Sequence, residues 1–151
     1  GAASNLVKAL AECENFKTAT RNTIHTNRME DRDLVTRFLA FYLQDYFDYQ
    51  GNMDLFLDSV LSSIKAKSNE KIWTKADSDK VINAFDNSMK LCIELFGKLI
   101  MNKENFEKEF ISLFEGEFYT CVNSATGTVE HVRGRYESLD SFITKFLEKS
   151  C

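Results

Sequence analysis

The stretch Met53–Ile64 reads MDLFLDSVLSSI, and the spacing of its apolar side chains decides the fold class. These side chains recur at intervals of three and four residues, which is the spacing of one face of an α-helix. The six apolar side chains on this face are Met53, Phe56, Leu57, Val60, Leu61 and Ile64. Asn52 suits the N-cap of this helix, and the basic and amide side chains of residues 65–69 suit its end. The stretch therefore predicts an amphipathic helix that packs on a core.

The same helical period precedes this stretch. Ser4 suits the N-cap of a first helix that reaches Glu12. Residues 30–46 form a second strong helix, which starts with acidic side chains that suit the positive end of the helix dipole. This helix is apolar nearly all round, so we expect it to lie centrally. A short helical turn over 15–20 and a polar connection over 21–27 lie between the two.

The period also continues downstream. Thr74 and Asp77 form a capping box, and the helix that follows reaches Gly97, which either ends or interrupts it. The remaining predicted segments are a helix that starts at Asn102, a short helix over 117–124, and a last helix from Val129 after the turn Thr126–Thr128. The chain therefore reads as helices from end to end.

Composition agrees with this pattern. The 151 residues contain no proline, only six glycines and thirteen phenylalanines. A sandwich or barrel needs many turn residues, so we exclude both. We predict an all-α fold: a single irregular helical bundle of about six to seven helices in one domain over 1–151.

Charge and cysteine content exclude several classes of protein. The net charge of −4 excludes a strongly basic DNA-binding domain. The longest apolar run, Phe38–Leu43, has six residues, whereas a membrane span needs about 20, so we predict no membrane contact. Cys13, Cys92 and Cys121 lie among apolar helical residues without metal-site spacing. We interpret them as reduced core thiols, which indicates a cytoplasmic protein.

No residue pattern in the chain predicts a catalytic site or a metal site. His25 and His131 have no partner at metal-ligand spacing, and we interpret both as exposed or capping side chains. Acidic groups at helix starts are most simply dipole partners. We therefore predict no catalytic residue, no metal site and no cofactor in this chain.

The densest cluster of charged side chains lies at the start of the helix predicted over 30–46. It contains Arg28, Asp31, Arg32 and Arg37. One interpretation is an ion-pair network that fixes the helix start, with Asp33 and Arg37 as i,i+4 partners. The other is an arginine cluster that faces a nucleotide, DNA or a neighbouring domain, since a guanidinium binds phosphate or carboxylate bidentately.

A second, smaller arginine cluster follows the Thr-Gly-Thr turn. Arg133 and Arg135 form it, and a solvated helix face is the alternative interpretation for this pair.

Residues 27–42, NRMEDRDLVTRFLAFY, resemble a signature of the DGQQR-motif family of bacterial restriction and phage-defence proteins. These are the GmrSD-like proteins, whose N-terminal part is ParB/sulfiredoxin-like. The resemblance continues in order through 51–57, 84–97, 117–118, 125–127, Val132 and Arg135–Tyr136.

The chain contains neither the DGQQR motif nor an HNH-type nuclease domain. The resemblance therefore implies the helical C-terminal part of a longer restriction or defence protein, a fragment with no catalytic residues of its own. It implies that the parent is a nucleotide-dependent nuclease that uses NTP and Mg²⁺, and that the partners are the catalytic half and, through the parent, DNA. It also implies a missing family segment near Gly97–Lys98. The alternative functions are a stand-alone helical protein-interaction module and a complete small enzyme.

Overall fold

The computed structural model describes residues 1–101 and 127–149, and the regular elements within those ranges are helical. The predicted all-α class is thereby confirmed. The elements are α1 (Ala2–Ala11), α2 (Glu14–Ala19), a 3₁₀ turn (Thr26–Arg28), α3 (Glu30–Leu43), a second 3₁₀ turn (Tyr46–Asp48), α4 (Met53–Asn69), α5 (Lys75–Met101) and α6 (Val129–Lys149). The helices predicted from Asn102 and over 117–124 lie outside the described residues.

The chain divides into two compact units. Unit 1 consists of Gly1–Gln44 and Asp54–Lys98, and unit 2 consists of Asp45–Met53 and Leu99–Cys151. The expectation of one domain over the whole chain stays a prediction.

Unit 1 is built around the aromatic ring of Phe85, which is almost fully buried. Phe16 from α2 and Phe38 from α3 pack on it, with ring centroids at 5.6 Å and 4.7 Å. Phe41 packs on Phe56 in the same unit, with ring centroids 5.0 Å apart. The aliphatic part of this core includes Leu6, Val7, Leu10, Val35, Leu39, Leu57, Val60, Ile64 and Val81.

Helix α4 matches its prediction and α3 departs from its own. Four of the six apolar positions on the decisive stripe of α4 are buried, and the helix ends at Asn69 as expected. On α3, however, Leu34 and Tyr42 remain 43% and 49% exposed, while Leu39 is fully buried. The expectation that α3 is buried nearly all round is therefore wrong, because the core covers only one side of it.

The helix starts show which local signals are reliable. At α5, Thr74 N donates to Asp77 Oδ2 at 2.8 Å and Asp77 N donates to Thr74 Oγ1 at 3.4 Å, so the predicted capping box is confirmed. At α6, His131 N donates to the hydroxyl of Thr128 at 3.3 Å, so the predicted cap after the glycine turn is also confirmed.

The predicted cap of α1 is wrong. Ser4 lies inside the helix, because the bond from Asn5 N to the carbonyl oxygen of Gly1 adds a turn upstream of it. Two alanines occupy that turn, and alanine has the highest helix propensity.

Gly97 neither ends nor interrupts its helix. Helix α5 continues through Gly97 and Lys98 to Met101. A glycine inside a helix costs only about 1 kcal/mol relative to alanine, which the neighbouring helix formers Leu99 and Met101 help to offset. The prediction that a segment of the family is missing near Gly97 and Lys98 is not tested by this helix and stays a prediction.

Candidate functional site

The polar cluster at the start of α3 is positioned by a left-handed residue. The 3₁₀ turn Thr26–Arg28 leads into Met29, which has φ 58°, and Asp33 N donates to the carbonyl oxygen of Met29 at 3.0 Å. The carboxylate of Glu30 accepts a hydrogen bond from His25 N at 3.3 Å, which ties the preceding loop to the helix. The left-handed conformation costs about 1–2 kcal/mol, and these two bonds help to hold it. Arg28 is thereby held immediately before the helix.

Acidic groups of the first turn have structural partners. Asp31 Oδ1 accepts from the backbone N–H of Arg32 at 2.8 Å. Asp33 Oδ2 accepts from Arg37 Nε at 3.0 Å, so the predicted i,i+4 pair is present. Both side chains of that pair are about half exposed, and it stabilises the helix by about 0.3–0.5 kcal/mol. The ion-pair interpretation therefore accounts for Asp33 and Arg37, whereas Asp31 bonds to the helix backbone.

Arg28 and Arg32 differ from the neighbouring charged residues because they lack partners among the described residues. Both are exposed, and neither guanidinium makes a hydrogen bond or an ion pair within residues 1–101 and 127–149. Each guanidinium carries five N–H donors in a planar fork that matches a phosphate or carboxylate. We call these two side chains the α3 arginine patch. The contact interpretation of the cluster is thus restricted to this patch.

Arg133 does not lie on a solvated helix face. Its Nη2 donates to the carbonyl oxygen of Phe47 at 3.1 Å, and its Cζ lies 4.9 Å from the centroid of the Phe47 ring. Its Nε is buried and has no hydrogen-bond partner in the described part of the chain. The solvated-face interpretation is wrong for Arg133, because the backbone and ring of Phe47 hold its guanidinium in unit 2.

Aromatic side chains complete this arrangement in unit 2. Tyr46 stacks on Tyr136 of α6 with centroids 4.8 Å apart and planes 1° apart, and it also stacks on Phe47 at 4.4 Å. Tyr49 is almost fully buried, and its hydroxyl donates to the carbonyl oxygen of Gly127. Burial raises the pKa of Tyr136 to about 12, against a smaller opposing effect of the Arg135 charge, so the phenol is neutral at physiological pH. These contacts fasten the second 3₁₀ turn to α6.

The six candidate contact residues fall into separate units. Unit 1 holds Arg28, Asp31, Arg32 and Arg37, whereas unit 2 holds Arg133 and the half-buried Arg135. Within unit 1 the structure brings together Asp33 and Arg37, and within unit 2 it attaches Arg133 to Phe47.

A polar centre that sequence reasoning missed lies on Asp86 of α5. Its Oδ1 accepts from Asn15 Nδ2 at 2.6 Å and from Cys13 Sγ at 3.2 Å, and its Oδ2 pairs with Lys90 Nζ at 2.7 Å. Hydrogen bonds from Lys90, Asn15 and Cys13, in that order of effect, lower the pKa of Asp86 to about 2. Only the i,i+4 spacing of Asp86 and Lys90 is visible in the sequence. The centre links the start of α2 to α5.

The prediction that the cysteines are core thiols is wrong for the two that the structure describes. Cys13 and Cys92 are free thiols, but both are half-buried and not core residues. Larger apolar side chains such as Leu10 and Phe85 are the ones that are buried on the same two helices or next to them. Burial still raises the pKa of the Cys92 thiol, which favours its protonated form. Cys121 lies outside the described residues.

An open groove of about 570 Å³ lies in unit 1. Helices α1 and α4 provide most of its lining, with Asp58, Ser62 and Lys65 among the polar groups and Thr36 from α3. The Thr36 hydroxyl already donates to the carbonyl oxygen of Arg32 at 2.7 Å. The groove therefore presents scattered polar groups and no nucleophile paired with a base.

Two further searches cover the part of the chain that the structure describes. No group of three or more His, Cys, Asp or Glu side chains there could hold a metal ion. No helix in the same residues is long and apolar enough to cross a membrane.

No protein family, curated protein or solved structure matches the chain in our comparisons. The resemblance of residues 27–42 to the DGQQR-motif family therefore stays a prediction.

Proposed function

We propose that this chain is the helical scaffold portion of a restriction or defence-type NTPase–nuclease, and that it is not catalytically competent alone. In this proposal the α3 arginine patch contacts an anionic group of the nucleotide, the DNA or the catalytic half of the parent protein. The observation that carries it is the exposure of Arg28 and Arg32 without a partner among the described residues.

The contrast within one cluster supports this role. Arg37 is occupied by Asp33, and the acidic groups of the first turn serve the helix start. Arg28 and Arg32 have no such partner in the part of the chain that the structure describes, and hydrogen bonds fix the helix start that carries them. They are therefore suited to bind an anion from elsewhere. Phosphate and carboxylate are the groups that a guanidinium fork fits best.

The parent protein supplies the chemistry in this proposal. NTP and Mg²⁺ bind in the catalytic half, which is the direct partner, and DNA is reached through the parent. The support for this part is the resemblance of residues 27–42 alone. A cytoplasmic location belongs to the same proposal, because the thiols of Cys13 and Cys92 are free.

The first test is the reading frame that encodes the chain. We expect a DGQQR motif upstream of the codon for residue 1. A reading frame that begins at residue 1, or an unrelated upstream domain, would contradict the family part of the proposal.

The second test addresses the patch itself in the natural gene. We expect the double variant R28E/R32E to lose nucleotide hydrolysis and restriction at least about tenfold, since reversed charges repel the anionic partner. The control K75E/K80E changes the net charge equally on exposed lysines of α5 and should retain both activities. Equal activity of R28E/R32E and the control would remove any functional role of the patch.

A third measurement separates the anionic partners. Labelled ATP and a labelled DNA duplex are titrated with the purified chain at several salt concentrations. Two phosphate contacts on duplex DNA give a slope of log K against log salt of about −1.8, and R28E/R32E should abolish it. If neither probe binds the wild-type chain while R28E/R32E still loses restriction, the patch contacts the catalytic half.

A second candidate function is a helical protein-interaction module. Single exposed apolar side chains are ordinary on protein surfaces. Helix α6, however, presents three of them in a row along one side, namely Tyr136, Leu139 and Ile143. Such a stripe is typical of a binding face.

A further inference from the structure

Helix α6 carries a regular apolar stripe that is open to solvent over its central part. Tyr136, Leu139 and Ile143 are 38%, 39% and 39% exposed, whereas Val132, one turn earlier, is fully buried. The spacing from Val132 through these residues to Phe146 alternates four, three, four and three. This alternation is the heptad spacing at which two α-helices pack along a shared seam.

We propose that this stripe is the contact surface for a second copy of the chain, with the two α6 helices parallel to each other. Leu139 then packs on Leu139 of the second copy, and Tyr136 and Ile143 pack in the adjacent layers. An isologous contact of this kind is the commonest symmetry among soluble oligomers. The inference does not depend on the proposed defence function.

Charge on the two flanks of the stripe selects the partner and the orientation. In the heptad that places Tyr136 and Ile143 at position a and Leu139 at position d, Arg135 occupies g and Asp140 occupies e. In a parallel pair, each g residue faces the e residue five positions further along the other helix. Arg135 of each copy then faces Asp140 of the other, which gives two pairs of opposite charge.

The antiparallel arrangement lacks this complementarity. There, e positions face e positions, so Asp140 comes close to Asp140 of the other copy. Like charges across a helix seam disfavour that arrangement. The parallel arrangement is therefore the one that this sequence favours on the observed stripe.

The stripe is also held in place before association. The ring of Tyr136 is stacked on Tyr46, with planes 1° apart, so its position needs no reordering when a second helix packs against it. The seam is short, because the exposed part spans about two turns of helix. A contact of this size belongs to the weak, transient class, and we expect a dissociation constant on the order of 10–100 µM.

The test uses the whole 151-residue chain under reducing conditions, studied by sedimentation velocity from about 1 µM to about 500 µM. We expect a concentration-dependent dimer, which L139D and I143D each weaken at least about tenfold. Both positions are already about two-fifths exposed, and circular dichroism should show that the variants stay folded.

The matched control is L91D, which places the same charge on a 49% exposed leucine of α5. It should leave the dimer unchanged. A chain that stays monomeric at the highest concentration, or a dimer that responds equally to L139D and L91D, would overturn the proposal.

A charge exchange tests the orientation. R135E and D140R each place like charges across a parallel seam and should weaken the dimer by about three- to tenfold. The double variant R135E/D140R restores opposite charges and should recover the wild-type dissociation constant. Single variants without effect, or a double variant that fails to recover, would overturn the parallel arrangement.

Discussion

The guanidinium of Arg133 lies against the ring of Phe47, with Cζ 4.9 Å from the ring centroid, while its Nη2 donates to the carbonyl oxygen of the same residue at 3.1 Å. One side chain of α6 thus holds both the backbone and the ring of a residue in the second 3₁₀ turn. The two contacts are of a kind that contributes measurable stability, since one is charge-assisted and the other is a cation–π contact.

R133M should therefore lower the free energy of unfolding by about 1–2 kcal/mol, because it keeps the apolar stem and removes both contacts with Phe47. Urea denaturation followed by circular dichroism measures the change. F47L keeps the carbonyl oxygen that accepts from Arg133, but it removes the cation–π contact together with the stacking of this ring on Tyr46. The exposed Lys145, changed to Met, is the control. An R133M variant as stable as K145M would show that Arg133 does not hold the 3₁₀ turn.

Y49F should cost about 1–2 kcal/mol of unfolding free energy. The substitution removes only the hydroxyl that donates to Gly127, and it leaves that carbonyl oxygen without this partner next to a buried ring. Thermal or urea denaturation measures the loss. Y42F removes the same hydroxyl from a half-exposed tyrosine of α3 and should change stability by less than about 0.5 kcal/mol. Equal effects of the two substitutions would refute the importance of the Tyr49 bond.

T74A should destabilise the chain by about 1 kcal/mol, because it removes the hydroxyl that caps the start of α5. Chemical denaturation again provides the measurement. Thr144 is exposed within α6, so T144A supplies a control with the same atoms removed outside a cap. If T74A and T144A were equally stable, the capping box would be structurally present without contributing to stability.

Stability should fall in acid through Asp86. The pKa of this carboxyl is lowered from 3.8 to about 2 by Lys90, Asn15 and Cys13, so the folded state binds its proton less readily than the unfolded chain. The stabilisation is therefore fully present above about pH 5 and is lost as the pH falls through 4 towards 2.

D86N makes this contribution measurable. The wild type should be more stable than D86N at pH 7, and the difference should shrink between pH 5 and pH 2 in urea denaturation. D58N, an exposed aspartate of α4, provides the comparison. A difference between wild type and D86N that is the same at pH 7 and pH 2.5 would contradict the assignment.

The reliable predictions all concern residues three or four positions apart. The capping box of Thr74 and Asp77 and the pair of Asp33 and Arg37 belong to this class, and both are present in the structure. Helix geometry alone brings such residues together, so their types and spacing suffice to predict the contact. Ser4 was the exception, because a helix can extend upstream of a suitable cap when the preceding residues also favour helix.

The features that the sequence could not reveal join distant parts of the chain. Asp86 and Asn15 are separated by 71 positions, Tyr49 and Gly127 by 78, and Phe47 and Arg133 by 86. No periodicity relates such residues, because their approach depends on how whole helices pack. The same cause explains Leu34, which shares the apolar character of its neighbours but lies on the side of α3 that the core leaves uncovered.

The amino-acid sequence by itself determined that this protein is helical and where most of its helices begin. It also determined that two arginines lie at the start of α3 beside acidic side chains that stabilise the helix start. Only the tertiary structure decided which arginines are occupied, which side of each helix is covered, and that the stripe of Tyr136, Leu139 and Ile143 is open. The physical reason is the range of the interactions. Hydrogen bonds along one helix are encoded within a few residues, whereas burial and exposure are set by the packing of elements that are remote in the chain.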